Sequence, residues 1–255
     1  MSQRVRPLPY TLDTGDGARA RLGVLVLQTD QTLEGELRQL TNLPGVATYH
    51  ARLPNAAEVT PETLAEMARA LPEAAKLIAP ELELDAIAYA CTSGATVIGE
   101  AEVSALLGTA HRGVPSTTPL SAAKAAFTAL GARRIALLTP YRVDVTRAMQ
   151  ARFVEAGFDV VEVGTFNEDD DLRVGKIDAK SLRAAVLELG RAPDVDGVFI
   201  SCTSLRAVGL IDSLEAALGK PVTSSNHALA WHLLRLARID DRSGPGRLFQ
   251  LGKEI

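Results

Sequence analysis

The chain alternates short apolar, β-rich runs with helical patterns, and the alternation occurs twice in the same order. Such runs include "RLGVLVLQ" (21–28) and "LDAIAYA" (84–90), then "RRIALLTP" (133–140) and "VDGVFIS" (195–201). A helical pattern follows each of them. Strands that are apolar along their whole length and alternate with helices predict a parallel sheet covered on both faces. The pattern therefore predicts an α/β fold.

The two halves of the chain also match in detail. "DAIAYACTSGATVIGE" (85–100) corresponds to "DGVFISCTSLRAVGLID" (196–212), and "RGVPSTTPLSAAKAAF" (112–127) to "GKPVTSSNHALAWHL" (219–233). The only two cysteines lie in the first pair, 202 − 91 = 111 residues apart. This spacing indicates duplication of a whole domain.

We predict two similar doubly wound domains with four-stranded parallel sheets, related by a pseudo-twofold axis. Residues 1–119 and 225–255 would form the first domain, with an N-terminal arm over about 1–20. Residues 120–224 would form the second. Ligands bind beyond the carboxyl ends of the strands in such sheets, so the active site is expected in the cleft between the domains.

Several local elements follow from the same patterns. A single helix is expected over 94–107 and a short strand over 113–118. Thr60 is expected to cap a helix that runs to Ile78, since Pro follows it at the first helical position.

The composition excludes several classes of protein. The 255 residues carry a formal net charge of −4, and no basic run gives the footprint of a nucleic-acid binder. No apolar run reaches the roughly 18 residues of a membrane helix, and the N-terminus lacks the apolar core of a secretory signal. Two cysteines do not make a disulfide framework. We therefore expect a cytoplasmic protein with reduced thiols and with no nucleic-acid or membrane partner. A homo-oligomer is a separate expectation.

Each cysteine is predicted to end a strand and to precede a helix. A helix N-terminus presents free N–H groups and partial positive charge, which would lower the pKa of a thiol. The same N–H groups would hold a carboxylate together with the hydroxyls that follow each cysteine. Those hydroxyls belong to Thr92, Ser93, Thr203 and Ser204.

Two thiols that face one small molecule suit two kinds of chemistry. They can transfer protons on opposite faces of a carbon, or one thiolate can add to a double bond while the other thiol gives a proton. Burial as a small hydrophobic residue and a disulfide are the alternatives for each cysteine. The matching Cys-Thr-Ser sequences favour a functional pair.

No metal or cofactor site is predicted. The histidines His50, His111, His227 and His232 lack metal-ligand spacing, so structural or surface roles are expected for all four. No GxGxxG follows the first strand, and the phosphate-binding GxxxxGKS/T and the GxSxG of serine hydrolases are absent.

Three segments carry a family resemblance. "CTSG" after a strand, "LLTPY" (137–141) and "SCTSLRAVGLIDSLEAALGKPVTSSNHALAWHLLR" (201–235) resemble the aspartate/glutamate racemase superfamily. The branch is that of maleate cis–trans isomerase and arylmalonate decarboxylase, and the resemblance runs from about Arg21 to Phe249. It implies two similar α/β halves, a cofactor-free active site between them, and Cys91 and Cys202 as the catalytic pair.

The resemblance also bears on the reaction. Decarboxylases of the arylmalonate type keep only the cysteine equivalent to Cys202, so the presence of Cys91 points to an isomerase or racemase. In maleate isomerase the first-half cysteine adds to the alkene carbon, the resulting single bond rotates, and elimination follows. Tyr141 matches that enzyme's active-site tyrosine and would hydrogen-bond a carboxylate. A partly buried structural tyrosine is the alternative.

Two acidic residues depart from the family pattern. "LQTDQTLE" (27–34) places Asp30, and "DDDLRVGKI" (169–177) places Asp171, where maleate isomerases have asparagine. Two carboxylates about 4 Å apart repel by on the order of 1–4 kcal/mol. Both changes therefore suggest a substrate with an amine or other donor, and the ectoine-utilisation proteins of the superfamily have a similar Thr-Asp loop. Helix capping for Asp30 and a solvated loop for Asp171 are the alternatives.

The leading hypothesis is a cofactor-independent isomerase or racemase of a small amino- or dicarboxylic acid. Cys91 and Cys202 would share the nucleophilic or proton-transfer work. The alternatives are maleate cis–trans isomerase itself, an arylmalonate-type decarboxylase and a non-catalytic small-acid binding protein. Ser225 and Asn226 are expected either at the rim of the site or in the cap of the next helix.

Overall fold

The computed structural model describes residues 5–56, 61–78 and 81–252. Its first sheet contains four parallel strands in the order β2-β1-β3-β4. These strands are β1 (Ala20–Leu27), β2 (Val46–Leu53), β3 (Ala86–Ala90) and β4 (Ser116–Thr117).

The second sheet repeats the first. Its four parallel strands have the equivalent order β6-β5-β7-β8. They are β5 (Arg134–Thr139), β6 (Asp159–Thr165), β7 (Gly197–Ile200) and β8 (Val222–Ser224). The predicted fold, an α/β protein with two similar four-stranded parallel sheets, is confirmed.

Helices connect the strands and cover the sheets. In the first half they are α1 (Leu33–Thr41), α2 (Pro61–Ala75), α3 (Thr92–Ile98), α4 (Glu100–Ala110) and α5 (Pro119–Leu130). In the second half they are α6 (Val143–Glu155), α7 (Asp171–Val174), α8 (Ala179–Gly190), α9 (Ile211–Leu218) and α10 (Ser225–Leu236). None of the described helices has the length and apolarity that crossing a bilayer requires.

The core of the second half contains an aromatic cluster around β7. The ring centroid of Phe199 lies 5.5 Å from that of Phe153 and 6.3 Å from that of Phe127. Phe158 packs edge-on against both of these neighbours. Edge-to-face pairs of buried rings add to the stabilisation that area burial gives. The cluster fixes β7, whose carboxyl end leads to Cys202.

Helix α10 joins the two halves. It follows β8 of the second sheet, yet it packs against α1, α5 and β3. The helix is buried nearly throughout, including Trp231 and Leu234. This packing is compatible with the predicted assignment of residues 225–255 to the first domain, and the domain boundaries stay a prediction.

Three local predictions need correction or completion. The helix expected over 94–107 is broken at Gly99, whose φ of 96° is a conformation that L side chains rarely adopt. The strand expected over 113–118 is only two residues long, because β4 pairs with β3 over two residues alone. The helical cap predicted at Thr60 lies outside the described residues.

The predicted N-terminal arm has no helix or strand over residues 5–19. It exposes Val5, Leu8, Tyr10 and Leu12. At its end, Arg19 forms an ion pair with Asp241.

Candidate active site

One cavity contains both cysteines. It lies at the carboxyl ends of strands from both sheets and has an empty volume of about 380 Å³, its opening to solvent included. Its lining residues follow β1, β2, β3, β5, β6 and β7, as expected for doubly wound sheets. The lining consists of Leu27, Asn55, Ala56, Thr63, Met67, Cys91, Thr92, Ser93, Tyr141, Asp171, Cys202 and Thr203.

Cys91 is the N-cap of α3. Its Sγ accepts a hydrogen bond from the backbone N–H of Gly94 at 3.2 Å and lies 3.5 Å from Oγ of Ser93. The hydroxyl of Tyr89 also contacts this thiol. A Cβ atom on Gly94 would lie 2.1 Å from the Tyr89 hydroxyl and 3.0 Å from the thiol, so only glycine fits there.

Cys202 is held in a different way. A turn follows it rather than a helix, and α9 begins only at Ile211. The prediction of a helix N-terminus behind Cys202, Thr203 and Ser204 is therefore wrong. Cys202 has a φ of 113°, a conformation that is strained for a residue with a Cβ.

Ser225 fixes this strained residue. The fully buried Oγ of Ser225 accepts the backbone N–H of Cys202 at 2.9 Å and lies 2.8 Å from Oγ1 of Thr92. One hydroxyl thus links the cysteine loop of the second half to the residue after the cysteine of the first half. The capping role that was an alternative for Ser225 belongs to Ser224, whose side chain accepts from the N–H of His227.

We predict that Ser225→Ala lowers the free energy of unfolding by about 1–3 kcal/mol, because the buried Cys202 N–H then lacks an acceptor. Urea denaturation measures this loss. The exposed Ser243→Ala is the matched control and should change stability by less than about 0.5 kcal/mol. Equal stability of the two variants would show that the Ser225 bridge does not hold the Cys202 loop.

Asn226 and Glu36 support the same loop from behind. The amide Nδ2 of Asn226 donates to the carbonyl of Thr203 and to Oε2 of Glu36, both at 2.8 Å. Oε1 of Glu36 accepts the N–H of Val208 at 2.9 Å. Both side chains are buried and neither lines the cavity, so Asn226 is not at the rim.

Both thiols hold their protons in this structure. Burial raises the pKa of Cys91 to about 11. Burial, and then the negative charge of Asp171, raises the pKa of Cys202 as well. The prediction that a helix N-terminus lowers the thiol pKa is wrong, because α3 supplies one N–H bond and desolvation outweighs it.

Tyr141 follows β5 and lines the cavity together with both thiols. It is 2% exposed, and its hydroxyl hydrogen-bonds the side chains of Ser201 and Cys202. Burial, and then the two thiols, keep its pKa well above the ordinary value, so the phenol is neutral. It can therefore donate to a negatively charged oxygen.

Asp171 reaches the cavity from the start of α7. Its Oδ1 accepts from Oγ of Ser204 at 2.8 Å, and its Oδ2 accepts from Oγ1 of Thr29 at 2.5 Å. Asn55 in turn donates to Thr29 at 2.9 Å. Asp171 is only 7% exposed, so the alternative of a solvated loop residue is wrong. Burial raises its pKa.

Asp30 and Ser204 lie behind the lining. Oδ1 of Asp30 accepts the N–H groups of Thr32 and Leu33 at 2.8 Å each, so it satisfies two donors at the start of α1 although the N-cap residue itself is Thr32. Its other oxygen, Oδ2, is buried and has no partner. Ser204 does not line the cavity, but its hydroxyl donates to Asp171 and its backbone N–H donates to the Cys202 thiol. The remaining predicted residues, Thr92, Ser93, Tyr141 and Thr203, line the cavity with both cysteines.

The histidines have structural surroundings. His227 bonds Thr223 and the carbonyl of Pro245, and His232 bonds Thr117. Burial lowers the pKa of each of these two to about 4. His111 contacts the carbonyl of Ala75, and His50 is exposed.

Within residues 5–56, 61–78 and 81–252, no group of three or more His, Cys, Asp or Glu side chains is arranged to hold a metal ion.

Sequence reasoning missed part of the lining. Leu27 ends β1, and Asn55 and Ala56 follow β2, which are positions that the carboxyl-end rule could have identified. Thr63 and Met67 come from α2, and no local pattern marks them.

Comparisons with known proteins cover both halves of the chain. A model of the arylmalonate decarboxylase family matches residues 39–249. A maleate isomerase from Nocardia farcinica is 28% identical over an alignment of 241 residues, which covers 90% of this chain and 95% of that protein. An arylmalonate decarboxylase from Bordetella bronchiseptica is 34% identical over 140 residues, or 54% of this chain and 58% of that protein. The chain thus matches less than two thirds of the latter relative.

A solved structure with a covalently modified cysteine is also similar to this chain. It is a mutant of the Nocardia farcinica maleate cis–trans isomerase with a covalently bound succinylcysteine intermediate. It is 27% identical, covers 90% of this chain and 98% of its own, and superposes with a TM-score of 0.76.

Proposed function

The chain belongs to the arylmalonate decarboxylase family, and from this premise we propose that it is a cofactor-independent isomerase or racemase of a small carboxylic acid. The resemblance to the maleate isomerase and arylmalonate decarboxylase branch is confirmed. Membership of the ectoine-utilisation subgroup stays a prediction.

One observation carries the proposal: Cys91 from the first half and Cys202 from the second line the same cavity. In a racemase, one thiolate removes a proton from the substrate carbon, and the opposite thiol returns a proton to the other face. The substrate loses one hydrogen and gains another, so its composition is unchanged, and the two sulfur atoms exchange protonation states. The next turnover runs in reverse, or follows re-equilibration with water.

The second mechanism is transient addition. One thiolate bonds to an alkene carbon, and the other thiol protonates the neighbouring carbon. The resulting single bond rotates, and elimination then breaks the C–S bond and returns a proton from the neighbouring carbon to the second sulfur. The succinylcysteine intermediate of the Nocardia farcinica mutant supports thiolate addition as chemistry available to this family. Here Cys91 would be the nucleophile and Cys202 the acid.

Hydroxyl groups around the thiols would position the substrate carboxylate. Thr92 and Ser93 lie beside Cys91, and Thr203 lies beside Cys202. Tyr141, a neutral donor in the same cavity, would stabilise the negative charge that develops on the substrate. Since the thiols are protonated in the free protein, one of them must first transfer its proton to water.

Proton NMR in deuterated water tests the proposal across a range of candidate substrates. Amino acids and dicarboxylic acids are incubated with the protein, and loss of an α-proton signal or appearance of a geometric isomer is followed. We expect at least one acid to exchange or isomerise. Ligand-induced thermal stabilisation with no conversion of any acid would instead indicate a non-catalytic binding protein.

The second candidate is maleate cis–trans isomerase itself, which the 28% identity over 90% of the chain supports. A change in maleate absorbance on addition of the protein would establish it. Release of CO₂ from an arylmalonate would instead establish decarboxylation, the activity for which the family is named.

A further inference from the structure

Asp171 brings a carboxylate to the cavity that holds the two thiols. Its oxygens each accept one hydroxyl hydrogen bond, from Ser204 and from Thr29. A carboxylate has about four acceptor sites, so two of them are not used by these hydroxyls. The Asn55–Thr29 contact and the Ser204 contact hold the group in place from both halves.

A second buried carboxylate stands next to it. Asp30 is 2% exposed, its Oδ1 accepts two N–H groups at the start of α1, and its Oδ2 has no hydrogen-bond partner. The charge of Asp30 acts on both Asp171 and Cys202. A buried carboxylate oxygen without a partner is costly, and a positive charge bound at Asp171 would reduce that cost through its attraction for Asp30.

An arginine lies beside Asp30 but pairs with neither of these two carboxylates. Nη1 of Arg52 donates to the backbone carbonyl of Asp30 at 2.8 Å, and its Nη2 pairs with Glu34. None of the residues that line the cavity is basic. Across the described ranges 5–56, 61–78 and 81–252, neither Asp30 nor Asp171 forms an ion pair. The negative charge at this wall is thus available to a ligand.

We infer that the substrate carries an ammonium group, which Asp171 binds directly and Asp30 attracts from behind, so that the substrate is an amino acid rather than a simple dicarboxylic acid. This inference rests on the proposed function for the carboxylate and the thiol chemistry. An ammonium group beside the thiols also offsets the charge of Asp171 and favours the thiolate that either mechanism needs.

The competing arrangement has Asp171 protonated and donating to a second substrate carboxylate. It predicts the opposite preference, since a dicarboxylate would then bind best. The two arrangements can be separated by ligands that differ in the ammonium group alone.

Matched acids provide that separation. The first pair is 2-aminobutanoate and butanoate, and the second is aspartate and succinate. Dissociation constants are measured by ligand-observed NMR at pH 7.5. The wild-type protein should bind the ammonium member of at least one pair about 10- to 100-fold more tightly than its partner, as expected for a charge-assisted hydrogen bond.

Asp171→Asn should abolish this preference while it keeps the size of the side chain. Asp169→Asn, in the same acidic run but exposed, is the matched control and should keep the wild-type preference. Asp30→Asn is the second variant, because the asparagine oxygen can accept the same two N–H groups and the fold is retained. It should reduce the preference several-fold.

Three results would overturn the inference. They are equal or tighter binding of butanoate and succinate, a preference that survives both Asp171→Asn and Asp30→Asn, and a lack of binding by both ammonium acids. All three results come from the binding measurements alone and do not depend on catalytic activity. Absence of any conversion together with a preserved ammonium preference would count against the proposed isomerase activity and leave the inference standing.

Discussion

Replacing either cysteine by serine is expected to lower kcat by about 10²–10⁴-fold on the substrate that the NMR screen identifies, the range associated with loss of a positioned acid or base. Serine keeps the shape of the side chain but not a group that ionises as a thiol does. Because Cys91 and Cys202 act on one molecule, their effects should not add. The Cys91→Ser, Cys202→Ser variant should be about as slow as the slower single variant.

Thermal unfolding provides the control for these variants. Serine is close to cysteine in size, so each variant should retain the fold and lose stability only modestly, even though both positions are buried. A single variant that folds and keeps more than about a tenth of the wild-type kcat would remove that cysteine from the mechanism. If only Cys91 proved dispensable, the reaction would resemble that expected of a decarboxylase with one thiol.

The second large effect is expected at Phe199, at the centre of the aromatic cluster. Phe199→Ala should lower the free energy of unfolding by about 3–5 kcal/mol, because a fully buried ring is lost and a cavity remains. The neighbouring rings of Phe127 and Phe153 lose their edge-to-face partner. Phe199→Leu removes less volume and should cost less.

Urea denaturation measures both Phe199 variants. Leu172→Ala is a control, since Leu172 is 41% exposed and should change stability by less than about 0.5 kcal/mol. A cost below about 1 kcal/mol for Phe199→Ala would show that β7, and with it the Cys202 loop, does not depend on this cluster.

Most of the fold could be predicted from the sequence because the strands are buried on both faces. Their apolar runs mark β1, β3, β5 and β7 to within a few residues. The break at Gly99 was missed, since helical periodicity continues across it and only the backbone angle reveals it.

The site residues that belong to the repeated Cys-Thr-Ser sequence could be predicted. The residues whose roles depend on contacts distant in the sequence could not. The twin Cys-Thr-Ser sequences identified both thiols, and the structure brings them to one cavity. The role of Asp171 remained ambiguous because its partner Thr29 lies 142 residues away. Ser225 bridges Cys202, which is 23 positions away in the sequence, and Thr92, which is 133 positions away. No local sequence pattern predicts this bridge.

The error in the thiol pKa has a physical cause. The helix N-terminus does provide an N–H to Cys91, as expected. The sequence does not reveal how completely that thiol is desolvated, and desolvation is the larger effect. The homo-oligomer and the cytoplasmic location stay predictions.

The central claim is that both thiols face one small cavity, and the number of iodoacetamide labels per chain tests it most directly. Intact-mass measurements follow the native protein between pH 7 and 9, where alkylation of a thiol with a pKa of about 11 should quicken about tenfold per pH unit. The Cys91→Ser and Cys202→Ser variants should each accept one label, and the urea-unfolded wild type two.

The native wild type should accept one label and then stop, because the first adduct occupies the space in front of the second thiol. Two labels that enter the native chain at independent rates would contradict the shared cavity and the paired mechanism built on it.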